Sequence, residues 1–311
     1  MNFQDQALVY LLAGLLGVLI CASGVGFMIE KARGSSPVII NMNTRIRTWW
    51  VMILLLVAAV WAGPIGAPLL FAIISLLVLR ESITLRPAYP GDHDVLFWCF
   101  FILLPLQYVL VGMQWYGALA LFIPVYAFLF IPTRIALAGD SNNFLERSAK
   151  IQWGMILAVY CISHIPALLI LPIPGYEHQN IKLLLFLMIV IQTSDVMQYV
   201  FGNLMGKRSR SPRLNPNKTV GGFIGGLTLA TLTGTLLWWV TPFAPWQAAL
   251  ISLMITLLGF AGGLCISAIR RERGEKNVGT TNKGQGGMID RIDSLCFAAP
   301  VFFHFVRFWF T

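Results

Sequence analysis

The chain has 311 residues, of which 57% are hydrophobic and only 11% charged, and its formal net charge at pH 7 is +9. A soluble globular protein has about 25% charged residues, so this composition excludes the soluble class and predicts an integral membrane protein. Five scattered cysteines indicate neither a disulfide framework nor a zinc site. We attribute the positive charge to loops that meet anionic lipids and phosphate ligands, and we expect no nucleic-acid partner.

Ten apolar segments predict an all-α, polytopic bundle of nine to ten transmembrane helices. In chain order they cover approximately residues 7–29, 48–62, 67–79, 95–112, 115–132, 151–172, 182–202, 220–241, 246–268 and 295–310. The second and third are short, and they form either two crossings or one re-entrant hairpin. We expect the first to be a retained helix, because no Lys or Arg precedes its long apolar run.

The distribution of basic residues predicts the orientation of the chain. Of the 22 Lys and Arg residues, all except Lys182 and Arg307 fall in alternate loops or at their edges. These alternate loops are 30–47, 80–94, 133–150, 203–219 and 269–294. The positive-inside rule therefore predicts that the N-terminus lies outside and that these loops are cytoplasmic. We expect a multi-pass protein of the inner (cytoplasmic) membrane.

Chemistry-bearing motifs concentrate in the C-terminal part of the chain. We therefore predict an N-terminal transmembrane scaffold, residues 1–180, and a C-terminal region, residues 181–311, that carries the site. In the scaffold, Asp92-His93-Asp94 is consistent with a metal cluster, but it more simply indicates a solvated loop before a helix. Acidic residues are favoured at a helix start, which is why we prefer the loop.

The first candidate motif lies inside the seventh apolar segment. A charged residue there is costly, which makes Asp195 a functional candidate. Gln198 and Tyr199 follow three and four residues later, so all three belong to one helix face. The alternative is a hydrogen-bonded cluster that serves only helix packing.

The second candidate combines Lys218-Thr219 with the glycine-rich stretch 221–226. Free backbone N–H groups at a helix start favour anions, and Lys218 adds a positive charge. Its spacing differs from that of a nucleotide-binding Walker loop, and we predict no strand before it. Basic anchoring at the membrane, together with small-residue helix packing, would equally explain this stretch.

The third candidate is the stretch GQGGMIDRIDSL, residues 284–295. Asp290 and Asp293 are three residues apart, so at a helix start both carboxylates face the same way and suit Mg²⁺. The glycines before them permit close approach of the backbone to a ligand. An acidic N-terminal cap of the last helix, balanced by Arg291, is the alternative.

Taken in order, these motifs resemble the phosphatidate cytidylyltransferase family, also called CDP-diacylglycerol synthases. The resemblance covers residues 190–300. Its terminal pattern runs S-x-x-K-R, K-D, G-H-G-G and D-R-[IL]-D-S, and it falls here on Ser267, Arg270, Arg271, Lys276, Gly284, Gly286, Gly287, Asp290, Arg291, Asp293 and Ser294. Upstream, the aspartate-bearing helix and the S-P-x-K-T motif of the family are matched by Asp195, Tyr199, Gly202, Gly206, Lys207 and residues 215–219.

The chain departs from the family pattern at several positions. Where the family has a GD aspartate this chain has Gly263, and where it has the aspartate of K-D this chain has Asn277. The glutamate of K-T-x-E-G falls on Gly221, and the histidine of G-H-G-G falls on Gln285. In the family, the GD aspartate and the first aspartate of D-R-x-D are implicated in metal binding, and only Asp290 remains of these.

The resemblance implies transfer of a cytidylyl group from CTP to phosphatidate or a related lipid phosphate, with Mg²⁺ as cofactor and a homodimer as assembly. Catalytic roles are implied for Lys218, Lys276, Asp290 and Arg291, and Mg²⁺ binding for Asp290 and Asp293. Binding of nucleotide or lipid is implied for Asp195, Tyr199, Asn215, Thr219, Ser267, Arg271, Gly284, Gly286 and Gly287.

Two alternatives to an active enzyme remain. The altered motif positions are typical of a degenerate homologue that binds nucleotide or lipid without turnover and acts as a partner protein. The second alternative is a transporter. A transporter would be expected to have polar residues spread through its helices near the membrane midplane.

Overall fold

The computed structural model describes residues 6–34, 37–61, 63–84, 90–139, 142–177, 179–205, 209–211, 215–272 and 289–311. Within these ranges the chain forms ten long helices. They are α1 (Gln6–Arg33), α2 (Pro37–Trp61), α3 (Gly63–Thr84), α4 (His93–Gly112), α5 (Tyr116–Leu137), α6 (Phe144–Leu169), α7 (Asn180–Met205), α8 (Val220–Leu236), α9 (Pro245–Glu272) and α10 (Ile289–Phe310). The ten predicted apolar segments therefore correspond to ten helices in the described part of the chain.

The described helices identify a multi-pass membrane protein. Seven of them are long and apolar enough to cross a membrane: α1, α3, α4, α5, α6, α7 and α9. The helix α8 is apolar but has 17 residues, and α2 and α10 have 25 and 22. Nine to ten crossings remain a prediction. The lengths of α2 and α3, 25 and 22 residues, favour two separate helices over a short re-entrant hairpin.

A short antiparallel hairpin interrupts the helical fold between α7 and α8. It consists of β1 (Ser209–Ser211) and β2 (Asn215–Thr219), with Ser209 opposite Thr219 and Ser211 opposite Asn215. The all-α class is confirmed by the ten described helices, and this short hairpin is a local exception that contradicts the prediction of no strand before Lys218. The residues are polar and lack the alternating apolar pattern by which a half-buried strand is recognised.

Side-chain contacts bring together the helix ends that flank the basic loops. Arg147, at the start of α6, forms a buried ion pair with Asp92, just before α4, with an Nη2–Oδ1 distance of 2.6 Å. Arg134, near the end of α5, pairs with Asp94 at 3.4 Å. The interpretation of residues 92–94 as a solvated loop is therefore wrong for Asp92, because burial of this carboxylate is compensated by a guanidinium more than 50 residues away.

The opposite helix ends also meet one another. Gln114 Nε2, after α4, donates to the carbonyl of Ile170, after α6, at 2.9 Å. The guanidinium of Arg307, near the end of α10, lies 5.2 Å from the ring centre of Tyr116 at the start of α5. The alternation of loops between two ends of the bundle thus agrees with the charge pattern, and which end faces the cytoplasm remains a prediction.

The C-terminal helices form one packed unit. α7, α8, α9 and α10 pack against one another, and α10 also packs against α6. Buried aromatic rings join α7 and α10 in the half of the bundle away from the basic loops: the rings of Phe186 and Phe302 are 6.2 Å apart, and Phe243 lies 6.3 Å from Phe302. This apolar contact fixes α10 against α7, and the polar residues near the start of α10 meet α7 in the other half.

Candidate active site

The third candidate motif lies at a helix start, as predicted. α10 begins at Ile289, so Asp290 lies in its first turn and Asp293 follows directly after that turn. An acidic residue there is favoured by the positive end of the helix dipole. Asp290 and Arg291 are described by their backbone alone, whereas the side chains of Asp293 and Ser294 are described in full.

The hydroxyl of Ser294 joins the first and third candidate motifs. Ser294 Oγ lies 3.2 Å from Asp195 Oδ1 in α7 and 3.4 Å from Asp293 Oδ1. The backbone N–H of Ser294 donates to the same Asp293 oxygen at 2.7 Å. Ser294 is buried and both aspartates are half-buried. Two carboxylates from helices far apart in sequence therefore meet at one hydroxyl group.

Two glycines of α9 face this arrangement, and one of them, Gly262, leaves no room for a side chain. A Cβ atom added at Gly262 would lie 2.6 Å from the carbonyl oxygen of Asp293 and 3.1 Å from the ring of Phe297. One turn earlier, a Cβ at Gly259 would lie 3.5 Å from Ser294 Cβ. Sequence reasoning missed both glycines and assigned no role to Ser294. The signal was present, since small residues three or four apart mark close helix contacts in membranes.

The glycine-rich start of α8 serves helix packing. A Cβ at Gly222 would lie 2.5 Å from the carbonyl oxygen of Gln198, and one at Gly226 would lie 2.5 Å from Gln198 Cγ and 2.9 Å from the carbonyl oxygen of Ser194. Gln198 Nε2 donates to Ser194 Oγ at 2.8 Å. The packing alternative thus accounts for Gln198 and for these glycines, which bring α8 close to the α7 segment that carries Asp195.

Thr219 connects the hairpin to α8. It is the N-cap of α8, and its hydroxyl oxygen accepts a hydrogen bond from the N–H of Gly222 at 3.1 Å. Lys218 and Asn215 lie in β2 and are described by their backbone alone. The Lys-Thr pair is therefore held at the start of α8, beside the C-terminal half of α7.

The remaining described candidates lie on α7 and α9. Tyr199 is one turn after Asp195 and is 38% exposed. Ser267 Oγ donates to the carbonyl of Gly263, one turn earlier in α9, at 2.6 Å. Gly263, the position at which the family pattern has an aspartate, is buried and follows Gly262 in α9. Arg271 is the penultimate residue of α9, described by its backbone alone.

Comparison with known proteins shows to which family this chain belongs. A model of the cytidylyltransferase family matches residues 43–309, most of the chain. The chain belongs to the cytidylyltransferase family. The match begins well before the motif-bearing residues 190–300 and includes most of the N-terminal helices.

Two relatives of this cytidylyltransferase-family protein match most of its length, and a third matches about half of it. It is 38% identical over 273 residues to the uncharacterised protein YnbB of Escherichia coli K12, which covers 86% of this chain and 88% of that protein. It is 27% identical over 282 residues to a phosphatidate cytidylyltransferase of Bacillus subtilis 168, covering 88% of this chain and all of that protein. A phosphatidate cytidylyltransferase of Staphylococcus saprophyticus is 32% identical over 157 residues, 49% of this chain.

The side chains that meet at Ser294 fit the metal that the family resemblance implies. Carboxylate oxygens are hard ligands that suit Mg²⁺. No group of three or more His, Cys, Asp or Glu side chains within the described residues is placed to hold a metal ion. Such a cage is not needed for Mg²⁺, which is usually bound by one or two carboxylates together with waters and substrate phosphates.

Several motif positions of this cytidylyltransferase-family protein lie outside the described residues. Gly206 and Lys207 lie between α7 and β1. The others lie in segment 273–288, between α9 and α10: Lys276, Gly284, Gly286 and Gly287, together with the altered positions Asn277 and Gln285. The roles of all these residues stay predictions.

Proposed function

We propose that the protein is a membrane CTP:lipid-phosphate cytidylyltransferase. In this reaction an oxygen of a lipid phosphate attacks the α-phosphorus of CTP. The bond from the α-phosphorus to the oxygen that bridges to the β-phosphorus breaks, pyrophosphate leaves, and a CDP-lipid remains in the membrane. The observation that carries the proposal is that Asp195 of α7 and Asp293 of α10 meet at the Ser294 hydroxyl.

Such a transfer requires the protein to align the two substrates and to neutralise the charge of their phosphates. Phosphoryl-type transfers are accelerated mainly by alignment and electrostatic stabilisation, with little covalent help from side chains. Asp290 and Asp293 would hold Mg²⁺, which supplies positive charge to the phosphate oxygens of CTP. Lys218, Arg271 and Lys276 add positive charge for the phosphates, and Arg291 binds one phosphate or orients the aspartates.

The glycines at 284, 286 and 287 suit a loop that approaches the nucleotide through its backbone. The proposed binding surface also includes Thr219, Asn215, Tyr199 and Ser267. Asp195 belongs to it as well, on the side of α7 that faces α10. The lipid phosphate enters laterally from the cytoplasmic leaflet of the inner membrane, and its own negative charge makes a general base unnecessary. Two relatives are phosphatidate cytidylyltransferases by name, which suggests phosphatidate as the substrate.

Pyrophosphate release tests this proposal. The purified protein, supplied with CTP, Mg²⁺ and a panel of lipid phosphates that includes phosphatidate, should release pyrophosphate, and EDTA should stop the release. Asp290→Ala should lose at least about a hundredfold in rate, the scale of removing a charge-stabilising group from such a site. Undiminished release by Asp290→Ala would refute the site assignment while leaving the activity intact.

Glycines at two positions favour a second candidate, a homologue that binds nucleotide or lipid without turnover. Gly263 and Gly221 stand where the family pattern has carboxylates, and a Cβ at Gly221 would lie 3.0 Å from Met205 Cβ, so α7 leaves little room for a side chain there. If the wild type releases no pyrophosphate with any lipid phosphate, and a Gly263→Asp, Asn277→Asp double variant does, this candidate is correct. Robust wild-type turnover rejects it.

A further inference from the structure

Ser294 occupies a junction between three helices. It lies in α10 with 5% of its surface exposed, its hydroxyl faces Asp195 of α7, and its Cβ faces the open side of Gly259 in α9. A buried serine in a membrane helix often bonds to the carbonyl four residues earlier in its own helix. The hydroxyl of Ser294 instead reaches a carboxylate on another helix.

The contact restrains a carboxylate that lies near a second one. Asp195 and Asp293 both reach the Ser294 hydroxyl from half-buried positions, where electrostatic interactions are screened less than in water. A neutral hydroxyl donor between them stabilises the ionised form of the carboxylate that accepts its proton. It also restricts the side-chain rotation of Asp195, because the donor is itself buried in α10.

We propose that Ser294 is a positioning residue whose hydroxyl holds the Asp195 carboxylate beside Asp293, so that Asp195 takes part in binding the Mg²⁺–nucleotide complex. This inference rests on the proposed function. On this inference α7 contributes a carboxylate to the site in addition to α10. Position 263 of α9 contributes none, because it is a glycine. Groups that orient metal-binding carboxylates in this way typically change metal affinity by ten- to a hundredfold.

The test compares Ser294→Ala with Ser294→Thr and with Ser252→Ala. The threonine returns the hydroxyl, and the α9 residue that faces its Cβ is Gly259, which has no side chain. Ser252 is a matched control, because it is fully buried in α9 and its hydroxyl has no hydrogen-bond partner among the described residues. Two quantities are measured on the full-length protein in detergent: the Mg²⁺ concentration that gives half-maximal CTP turnover, and Mn²⁺ binding in the presence of CTP, followed by electron paramagnetic resonance of the free ion.

We expect Ser294→Ala to raise both the half-maximal Mg²⁺ concentration and the Mn²⁺ dissociation constant by roughly tenfold, with a smaller change in kcat at saturating metal. Ser294→Thr should recover most of the loss, and Ser252→Ala should match the wild type. Active wild type with unchanged metal dependence in Ser294→Ala overturns this inference alone. Absence of turnover in the wild type overturns the proposed function and the inference with it.

A second variant keeps the inference falsifiable if Ser294→Ala does not fold. Asp195→Asn retains the shape of the side chain and removes its charge, so it should raise the same two quantities by at least as much. Unchanged metal dependence in a folded Asp195→Asn protein would contradict the inference equally.

Discussion

Gly262 of α9 lies directly against the backbone carbonyl of Asp293, so closely that a Cβ at position 262 would be 2.6 Å from that oxygen. A backbone atom cannot rotate away as a side chain can, so any larger residue forces α9 and α10 apart. The separation of these helices sets where Asp293 and Ser294 stand relative to Asp195. The arrangement of Asp293, Ser294 and Asp195 therefore requires a glycine at position 262.

We predict that Gly262→Ala reduces CTP turnover by at least tenfold, because displacing reacting groups by even about 1 Å has effects of this size or larger. Gly259→Ala is the matched control. Its Cβ would make ordinary contacts at 3.5 Å with Ser294 Cβ and 3.6 Å with the Ser294 carbonyl oxygen, and it should retain most of the activity. Turnover rates of the two variants, measured at equal amounts of folded protein, check the prediction. Equal losses in both would show that the contact at Asp293 has no special importance.

The buried ion pair between Arg147 and Asp92 should contribute strongly to stability. The two side chains are 3% and 8% exposed, and Arg147 Nε and Nη2 both donate to Asp92 Oδ1. Replacing Arg147 by Met leaves a buried carboxylate without its guanidinium partner, which costs about 3–5 kcal/mol. Thermal unfolding in detergent should show a correspondingly large fall in the unfolding temperature.

The pair of Arg134 with Asp94 provides the control, since these side chains are 35% and 76% exposed. Removing Arg134 should cost no more than about 1 kcal/mol. The double variant Asp92→Leu, Arg147→Met should recover much of the loss, because replacing both partners by apolar residues is often nearly neutral. A single Arg147→Met variant as stable as the wild type would contradict the assignment.

The helices of this protein could be predicted from its sequence because the bilayer imposes their length and apolar character. All ten predicted segments correspond to helices, and the alternation of basic loops agrees with the contacts at the two ends. The hairpin before Lys218 could not be predicted, since its polar residues have no apolar periodicity.

Sequence reasoning identified Asp195 and Asp293 as candidates but not their contact. They stand on separate helices, and the sequence carries no information on which helix faces turn toward one another when ten helices pack. The burial of Asp92 was missed for the same reason, because its partner Arg147 is distant in sequence. The glycine-rich start of α8 left two interpretations open; the close approach of Gly222 and Gly226 to α7 supports the packing role of these glycines, and anion binding by Lys218 stays a prediction.

The contact between α7 and α8 gives a third prediction. Gly222→Ala would place Cβ 2.5 Å from the carbonyl oxygen of Gln198 and 3.1 Å from Gly202 Cα, both backbone atoms. Such overpacking typically costs about 1–3 kcal/mol, and we expect a lower unfolding temperature for this variant. Gly17→Ala in α1, where no atom lies within 4 Å of the added Cβ, should leave the unfolding temperature unchanged or raise it. Equal stability of the two variants would argue against close packing of α8 on α7.

The orientation of the chain is testable with single cysteines. Asn142, between α5 and α6, and Pro174, between α6 and α7, are exposed at opposite ends of the bundle. In a background with Cys21→Ser and Cys265→Ser, a membrane-impermeant maleimide added to intact cells should label Pro174→Cys and not Asn142→Cys. In inverted membrane vesicles the pattern should reverse, with Asn142→Cys labelled and Pro174→Cys protected, and after permeabilisation both should react. The reverse pattern would place the site at the outer surface, away from cytoplasmic CTP.

The destination of the α-phosphate of CTP tests the central claim most directly. Purified wild-type protein is incubated with phosphatidate, Mg²⁺ and CTP labelled with ³²P at either the α or the γ position, and the lipid is then extracted. We predict that the α label enters the lipid as a CDP-lipid while the γ label appears only in pyrophosphate, and that Asp293→Asn prevents both. Absence of α label from the lipid with every lipid phosphate tested, under conditions in which the protein is folded, would contradict the account.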